Sequence, residues 1–250
     1  MATIGHKKIC IGICVSALIV SSIYVVKWLV DWNTSNQNES DIQELVETNS
    51  LQGDYKMLPQ TYIQLKEKYP KLVGYIEFEN DFISEPIVQS DDNFYYLDHW
   101  INDSYSEQGS IYLDSNCNST NQNMTIYGHH VMYDDSAKFS PLTRLVDQDC
   151  YESHKYFKIW YDTYVSEYEI IYVVYYDTNS DSEVFDYTAK NFYTEEMYQE
   201  YISWLNNHQL IESNTNISKT DRLVTLSTCK DASSTIRVLV VSKEINKETY

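Results

Sequence analysis

Glycine and proline are both scarce, at six and four in 250 residues, and what they cannot build narrows the field. No glycine-rich phosphate loop is present, and no Gly-x-Ser-x-Gly elbow presents a serine nucleophile. Neither His-Glu-x-x-His nor CxxC occurs, and no His/Cys cluster has zinc-ligand spacing, so no metal and no cofactor are expected. Basic charge is also short: 18 Lys and Arg stand against 37 Asp and Glu, a net charge of −19. A nucleic-acid footprint is basic, and this balance argues against one. Arginine occurs only at Arg144, Arg222 and Arg237, so each planar, permanently charged donor calls for a reason.

What is abundant leans towards β structure. The chain has 24 tyrosines, and with valine and isoleucine these favour strands. Its length allows one large or two small domains with ample core.

Residues 9–26 form an uncharged run of eighteen, preceded by His6, Lys7 and Lys8. The run is long enough to span a bilayer, with Trp28 and Trp32 at interfacial positions. The lysines before it place the N-terminus in the cytoplasm by the positive-inside rule. A cleaved signal peptide is the competing reading, but no clear cleavage site follows. The division expected is a cytoplasmic tail at 1–8, a transmembrane signal anchor at 9–30, a polar linker at 31–40 and an extracellular domain at 41–250.

Within that domain, helices are predicted at 41–48 and 61–68, the second ended by Pro70. Strands are predicted at 73–79, 86–89, 110–113, 124–127, 157–161, 167–176, 222–229 and 236–243. Eight short strands between polar turns suggest a closed barrel or a sandwich. One helix interrupts the series, with Thr194 as N-cap and Met197, Tyr201, Trp204 and Leu205 on one apolar face. It lies in the long connection before the last strand pair, where it could wall a groove.

That last pair carries the chemistry. Its first strand ends in Cys229 and its second opens at Ile236-Arg237, putting a thiol and a guanidinium at adjacent strand ends. The other thiols are Cys10 and Cys14 in the apolar run, and Cys117 and Cys150, which are free or pair with each other. A nucleophilic cysteine needs a base. Of six histidines, His6 falls on the cytoplasmic side, His208 suits a helix C-terminus, and His99 and His154 have no evident partner. His129 and His130 follow the strand Met124-Thr-Ile-Tyr-Gly128, where a strand end presents an imidazole at a barrel rim. Adjacent residues of an extended chain point apart, so at most one of them faces Cys229.

Leu226-Ser-Thr-Cys229 with Arg237 downstream, and Tyr127-Gly-His129 upstream, resemble the signature of the sortases, membrane-anchored cysteine transpeptidases of Gram-positive bacteria. Leu72-Val-Gly-Tyr-Ile-Glu77, Glu85-Pro-Ile-Val-Gln89, Asp92-Asn-Phe-Tyr-Tyr-Leu97 and Gly109-Ser-Ile-Tyr-Leu-Asp114 are similar to class B members. The resemblance implies a mainly β fold: an eight-stranded sortase-type barrel with N-terminal helices and a helix before the cysteine strand. It implies Cys229 as nucleophile, His129 as general acid and base, and Arg237 as oxyanion donor. Ser227, Asn93 and Leu97 match substrate-contact positions. The implied reaction is cleavage of a C-terminal sorting signal, of LPxTG-like or NPxTN-like type, after threonine. A thioacyl-enzyme would then pass the protein to a peptidoglycan amine on a precursor or cross-bridge. His130 and Asp231 are read as lying outside the chemistry, Asp231 as a turn residue. Pilus polymerisation, an unrelated cysteine peptidase and a non-catalytic surface-binding module stand as alternatives.

Overall fold

The computed structural model describes residues 2–49, 55–179, 185–231 and 234–250. The tail 1–8 and the turn 230–235 therefore fall partly outside the described residues. Eight strands close into one barrel: β1 (Leu72–Phe78), β2 (Ser84–Val88), β3 (Ile111–Leu113), β4 (Asn123–Tyr127), β5 (Tyr156–Trp160), β6 (Tyr164–Asp177), β7 (Leu223–Cys229) and β8 (Ile236–Thr249). Their order round the barrel is β1-β2-β3-β4-β7-β8-β6-β5, with β5 pairing back to β1. The pairs β2–β3 and β4–β7 are parallel and the rest antiparallel. Each predicted strand is present, with ends shifted by a few residues and β8 extended to Thr249.

The interior is filled by side chains such as Ile76, Ile126, Phe157, Val224, Leu226 and Val240. A second cluster lies outside the wall on the N-terminal side and a third under the helix that precedes β7. Strands β7 and β8 are thus covered on both faces, and they read as nearly continuous apolar runs rather than alternating ones.

Among the described residues four α-helices surround the barrel: α1 (Ala2–Asn49), α2 (Pro59–Lys68), α3 (Gln148–His154) and α4 (Glu195–His208). The segment 31–40, expected as a polar linker, is helical here and continues one helix of 48 residues, about 72 Å long at the usual rise. From residue 13 to residue 52 there is no glycine or proline to break it, and polarity alone does not end a helix. By length and composition α1 holds one segment able to cross a membrane. Its far end docks on the barrel, burying Ile42 and Val46 beside Leu65, Trp100 and Trp160. Each such side chain is worth about 1.5–3 kcal/mol when fully buried.

Helix α4 is capped as expected: Thr194 Oγ1 accepts from Met197 N at 3.2 Å, Glu195 and Glu196 occupy the first turn and His208 the last. Its inner face differs by one position. Tyr198, Tyr201 and Leu205 are buried while Met197 is exposed, because the tyrosine ring reaches Phe192 across the loop. Helix α3 was not foreseen; at seven residues it is too short to show a periodicity. Cys117 and Cys150 are free thiols.

Candidate active site

Alternation along two strands decides which side of the wall carries the site. Met124 and Ile126 of β4, and Val224 and Leu226 of β7, point into the interior cluster. Asn123, Thr125 and Tyr127 therefore face out, as do Thr225, Ser227 and Cys229. The parallel register pairs Tyr127 with Ser227. Gly128 N donates to Ser227 O at 3.2 Å, which carries the ladder one step further, and His129 follows directly off the end of β4. A Cβ on Gly128 would lie 2.7 Å from the Phe139 ring; only glycine lets the chain turn there. From the other side, β8 pairs antiparallel with β7 and sets Arg237 opposite Cys229. The guanidinium Nη1 donates to Cys229 Sγ at 3.1 Å.

The His129 ring is held by a backbone group. Its Nε2 lies 2.8 Å from Leu97 O, and a carbonyl can only accept, so Nε2 carries the proton in this contact and Nδ1 keeps a lone pair. Leu97 closes a single helical turn, Tyr95–Leu97, that Gly109 presses from behind. Gly109 has φ +59°, and a Cβ there would come within 2.6 Å of Leu97 O. His130 Nδ1 lies 3.2 Å from Cys229 O, so the second histidine steadies the backbone that bears the thiol. Asp231 follows in the exposed turn.

The three positions expected to meet substrate differ from one another. Ser227 is 1 % exposed, and its Oγ makes no well-formed hydrogen bond among the described residues. Leu97 is exposed at the lip. The amide of Asn93 is engaged by the protein itself: Nδ2 donates to Asp114 Oδ2 at 2.9 Å and Oδ1 accepts from Ser115 N at 2.7 Å. Asn93 thus shapes the loop leading to Leu97, with one N–H of Nδ2 and one lone pair of Oδ1 engaged within the protein.

Three tyrosines whose side chains were given no role from the sequence complete the surroundings. Tyr112 and Tyr127 are cross-strand partners with ring centroids 5.3 Å apart. Tyr127 Oη donates to Asp114 Oδ2 at 3.1 Å, and Tyr112 Oη donates to Asn93 O at 3.1 Å. Burial pushes the Tyr112 phenol up to about 12, with the Arg237 cation opposing. The Tyr187 phenol is also pushed up by burial, against Ser227 and Arg237. All three stay protonated donors near neutral pH. The outward, odd-numbered alternation of β4 could have flagged Tyr127; Tyr187 comes from the long connection, where no period exists to read. A cavity of about 440 Å³ lined by Lys66, Gln89, Met124 and Tyr164 opens where β4 begins, at the barrel end remote from Cys229.

No protein-family model matches the chain. It is 28% identical over 224 residues to sortase B of Staphylococcus aureus, covering 82% of this chain and 88% of that protein. It is 32% identical over 160 residues to sortase B of Listeria monocytogenes, covering 63% of this chain and 62% of that one. A crystal structure of sortase B complexed with triglycine superposes with a TM-score of 0.72 at 25% identity, over 86% of this chain and all of the other. In its closed barrel and in its sequence, the chain is thus similar to the class B sortases, which are cysteine transpeptidases.

Proposed function

We propose that Cys229, His129 and Arg237 carry out sortase transpeptidation, and the contact that bears most of this reading is Arg237 Nη1 on Cys229 Sγ. The Cys229 thiolate adds to the carbonyl carbon of the threonine in a sorting signal. The oxygen takes up negative charge, and Arg237 donates to it from a fixed planar fork. The C–N bond then breaks as His129 protonates the departing amine, leaving a thioester on Sγ. An incoming amine gives its proton to His129 as it attacks the thioester, and Cys229 leaves as thiolate. With Nε2 tied to Leu97 O, Nδ1 is the atom that carries the proton both ways.

Ser227 and the tyrosine-lined wall of Tyr112, Tyr127 and Tyr187 receive the peptide. The substrates are proteins ending in LPxTG-like or NPxTN-like signals, and the acceptor is an amine of a peptidoglycan precursor or cross-bridge. That a sortase B has been crystallised with triglycine, a peptide with a free amine, supports an amine acceptor. The apolar segment of α1 anchors the enzyme in the cell membrane, with the N-terminus cytoplasmic and the barrel outside.

A peptide-library cleavage assay with candidate amines, read by mass spectrometry beside Cys229→Ala, tests this. Cleavage after threonine with the amine joined to the new terminus is the expected result. Hydrolysis that no amine diverts indicates a peptidase, chain-to-chain joining through a lysine indicates pilus assembly, and an inert Cys229 indicates a binding module.

A further inference from the structure

Lys138 is the most deeply buried cation among the described side chains, 1 % exposed, and no step above uses it. Its Nζ lies 3.1 Å from both oxygens of Glu85 on β2 and 3.4 Å from Glu39 Oε1 on α1. The same ammonium sits 4.0 Å from the Trp100 ring centroid. Burying an ammonium costs several kcal/mol unless it is paired and fully hydrogen-bonded, and here three separate segments supply the partners.

The location is what matters. Lys138 bridges to His130 as a β-partner, and its neighbour Phe139 donates N–H to His129 O at 3.1 Å. Lys138 itself has φ +54°, a left-handed conformation that a long side chain holds only when its surroundings fix it. Trp100 lies three residues beyond Leu97, whose carbonyl grips His129 Nε2. Both restraints on His129, through its own carbonyl and through its ring, therefore converge on this ammonium. The third arm belongs to α1, whose docking Gln43 reinforces by donating to Ser84 O at 2.7 Å.

A buried ion cluster is a poor source of stability, since an apolar set of equal volume often does as well, but it is directional. The ammonium must stand where all its partners reach it. Burial and the adjacent Glu39 push the Glu85 carboxyl well above its usual range, with Lys138 opposing, so the cluster depends on that single cation. We propose that Lys138, clamped between Glu85 and Glu39, is a positioning residue for His129, and that the docked end of α1 is thereby a working part of the active site. This rests on the transpeptidase reading above for its kinetic consequence, though not for its structural one.

The test uses the full chain in detergent. Lys138→Met, Lys138→Arg and Glu39→Gln are compared with wild type by steady-state transfer kinetics, by thermal melting and by the nitrogen-15 shifts of the His129 ring. Lys138→Met should lower kcat by at least about tenfold with KM little changed, within the roughly 100-fold that a displacement near 1 Å can cost. Glu39→Gln should lower it in the same direction, Lys138→Arg should recover part, and the ring shifts should move in step. If Lys138→Met does not fold, Glu39→Gln decides, because its side chain keeps its shape and sits at the partly exposed arm. Melting temperatures that fall while kcat and the His129 shifts stay put would make the cluster merely structural and overturn the proposal. Absence of Cys229-dependent transfer in wild type would instead sink the functional reading, and the ring shifts would still report on the clamp.

Discussion

Arg237 and Cys229 are strand partners, and the guanidinium meets the thiol at 3.1 Å. The contact requires β7 and β8 to end in register, so it is a product of the sheet rather than of two flexible side chains finding each other. Arg237→Ala should lower kcat by about 10²–10³-fold, as loss of one oxyanion donor does. Lysine should restore only a small part, because a point charge on a mobile stem cannot reproduce the fork. Steady-state kinetics on a quenched sorting peptide reads both, and full activity in Arg237→Lys would rule out the planar donor.

Gly109 sets the height of the Leu97 carbonyl. A methyl there collides with Tyr96 O and comes within 2.6 Å of Leu97 O, on a backbone with φ +59°. Gly109→Ala should cost about 1–3 kcal/mol and should also reduce kcat, since the carbonyl that holds His129 must move. Chemical denaturation and kinetics on the same preparation separate the two effects. Lost stability with unchanged turnover would show that Leu97 does not position the base.

Ser227 carries a buried hydroxyl without a well-formed partner. Leaving such a group unsatisfied costs about 1–3 kcal/mol, so Ser227→Ala should leave stability unchanged or slightly raised. If the hydroxyl meets substrate, KM for the sorting peptide should rise. A clear drop in melting temperature would mean that Ser227 is already satisfied within the fold.

Thiol labelling separates Cys229 from the other cysteines by pH. Burial pushes the Cys117 thiol up, and burial does the same to Cys150 against the pull of Arg144. Raised thiols ionise only above the ordinary range, so their labelling should remain slow at neutral pH and accelerate as pH rises. Cys229, half-exposed beside a guanidinium, should label fast at neutral pH in a chain with Cys10 and Cys14 changed to serine. Cys229→Ala should abolish that fast phase. Equal rates at all three thiols would remove the case for an activated nucleophile.

Much of the architecture could be read along the chain because it is local. Short β-rich runs bounded by polar turns marked the eight strands, and Thr194 with two glutamates marked the start of α4. Where spacing misled, the cause was physical. Met197 was placed on the buried face of α4 by spacing, but tertiary packing chose Tyr198. The helical form of residues 31–40 was not read from their polarity, which does not by itself end a helix.

By itself, the sequence determined the residue types at the proposed reacting centre: one thiol ending a strand, one of three arginines opening the next, and a histidine after Tyr127-Gly128. Those follow from strand ends and scarcity, which are properties of neighbours in the chain. Only the tertiary structure decided that β4 runs parallel to β7, that Leu97 offers a carbonyl to His129, and that Lys138 is buried between Glu85 and Glu39. The reason is that these depend on register and on backbone groups. Every residue carries the same N–H and C=O, so no pattern of side chains announces which of them a barrel will bring together.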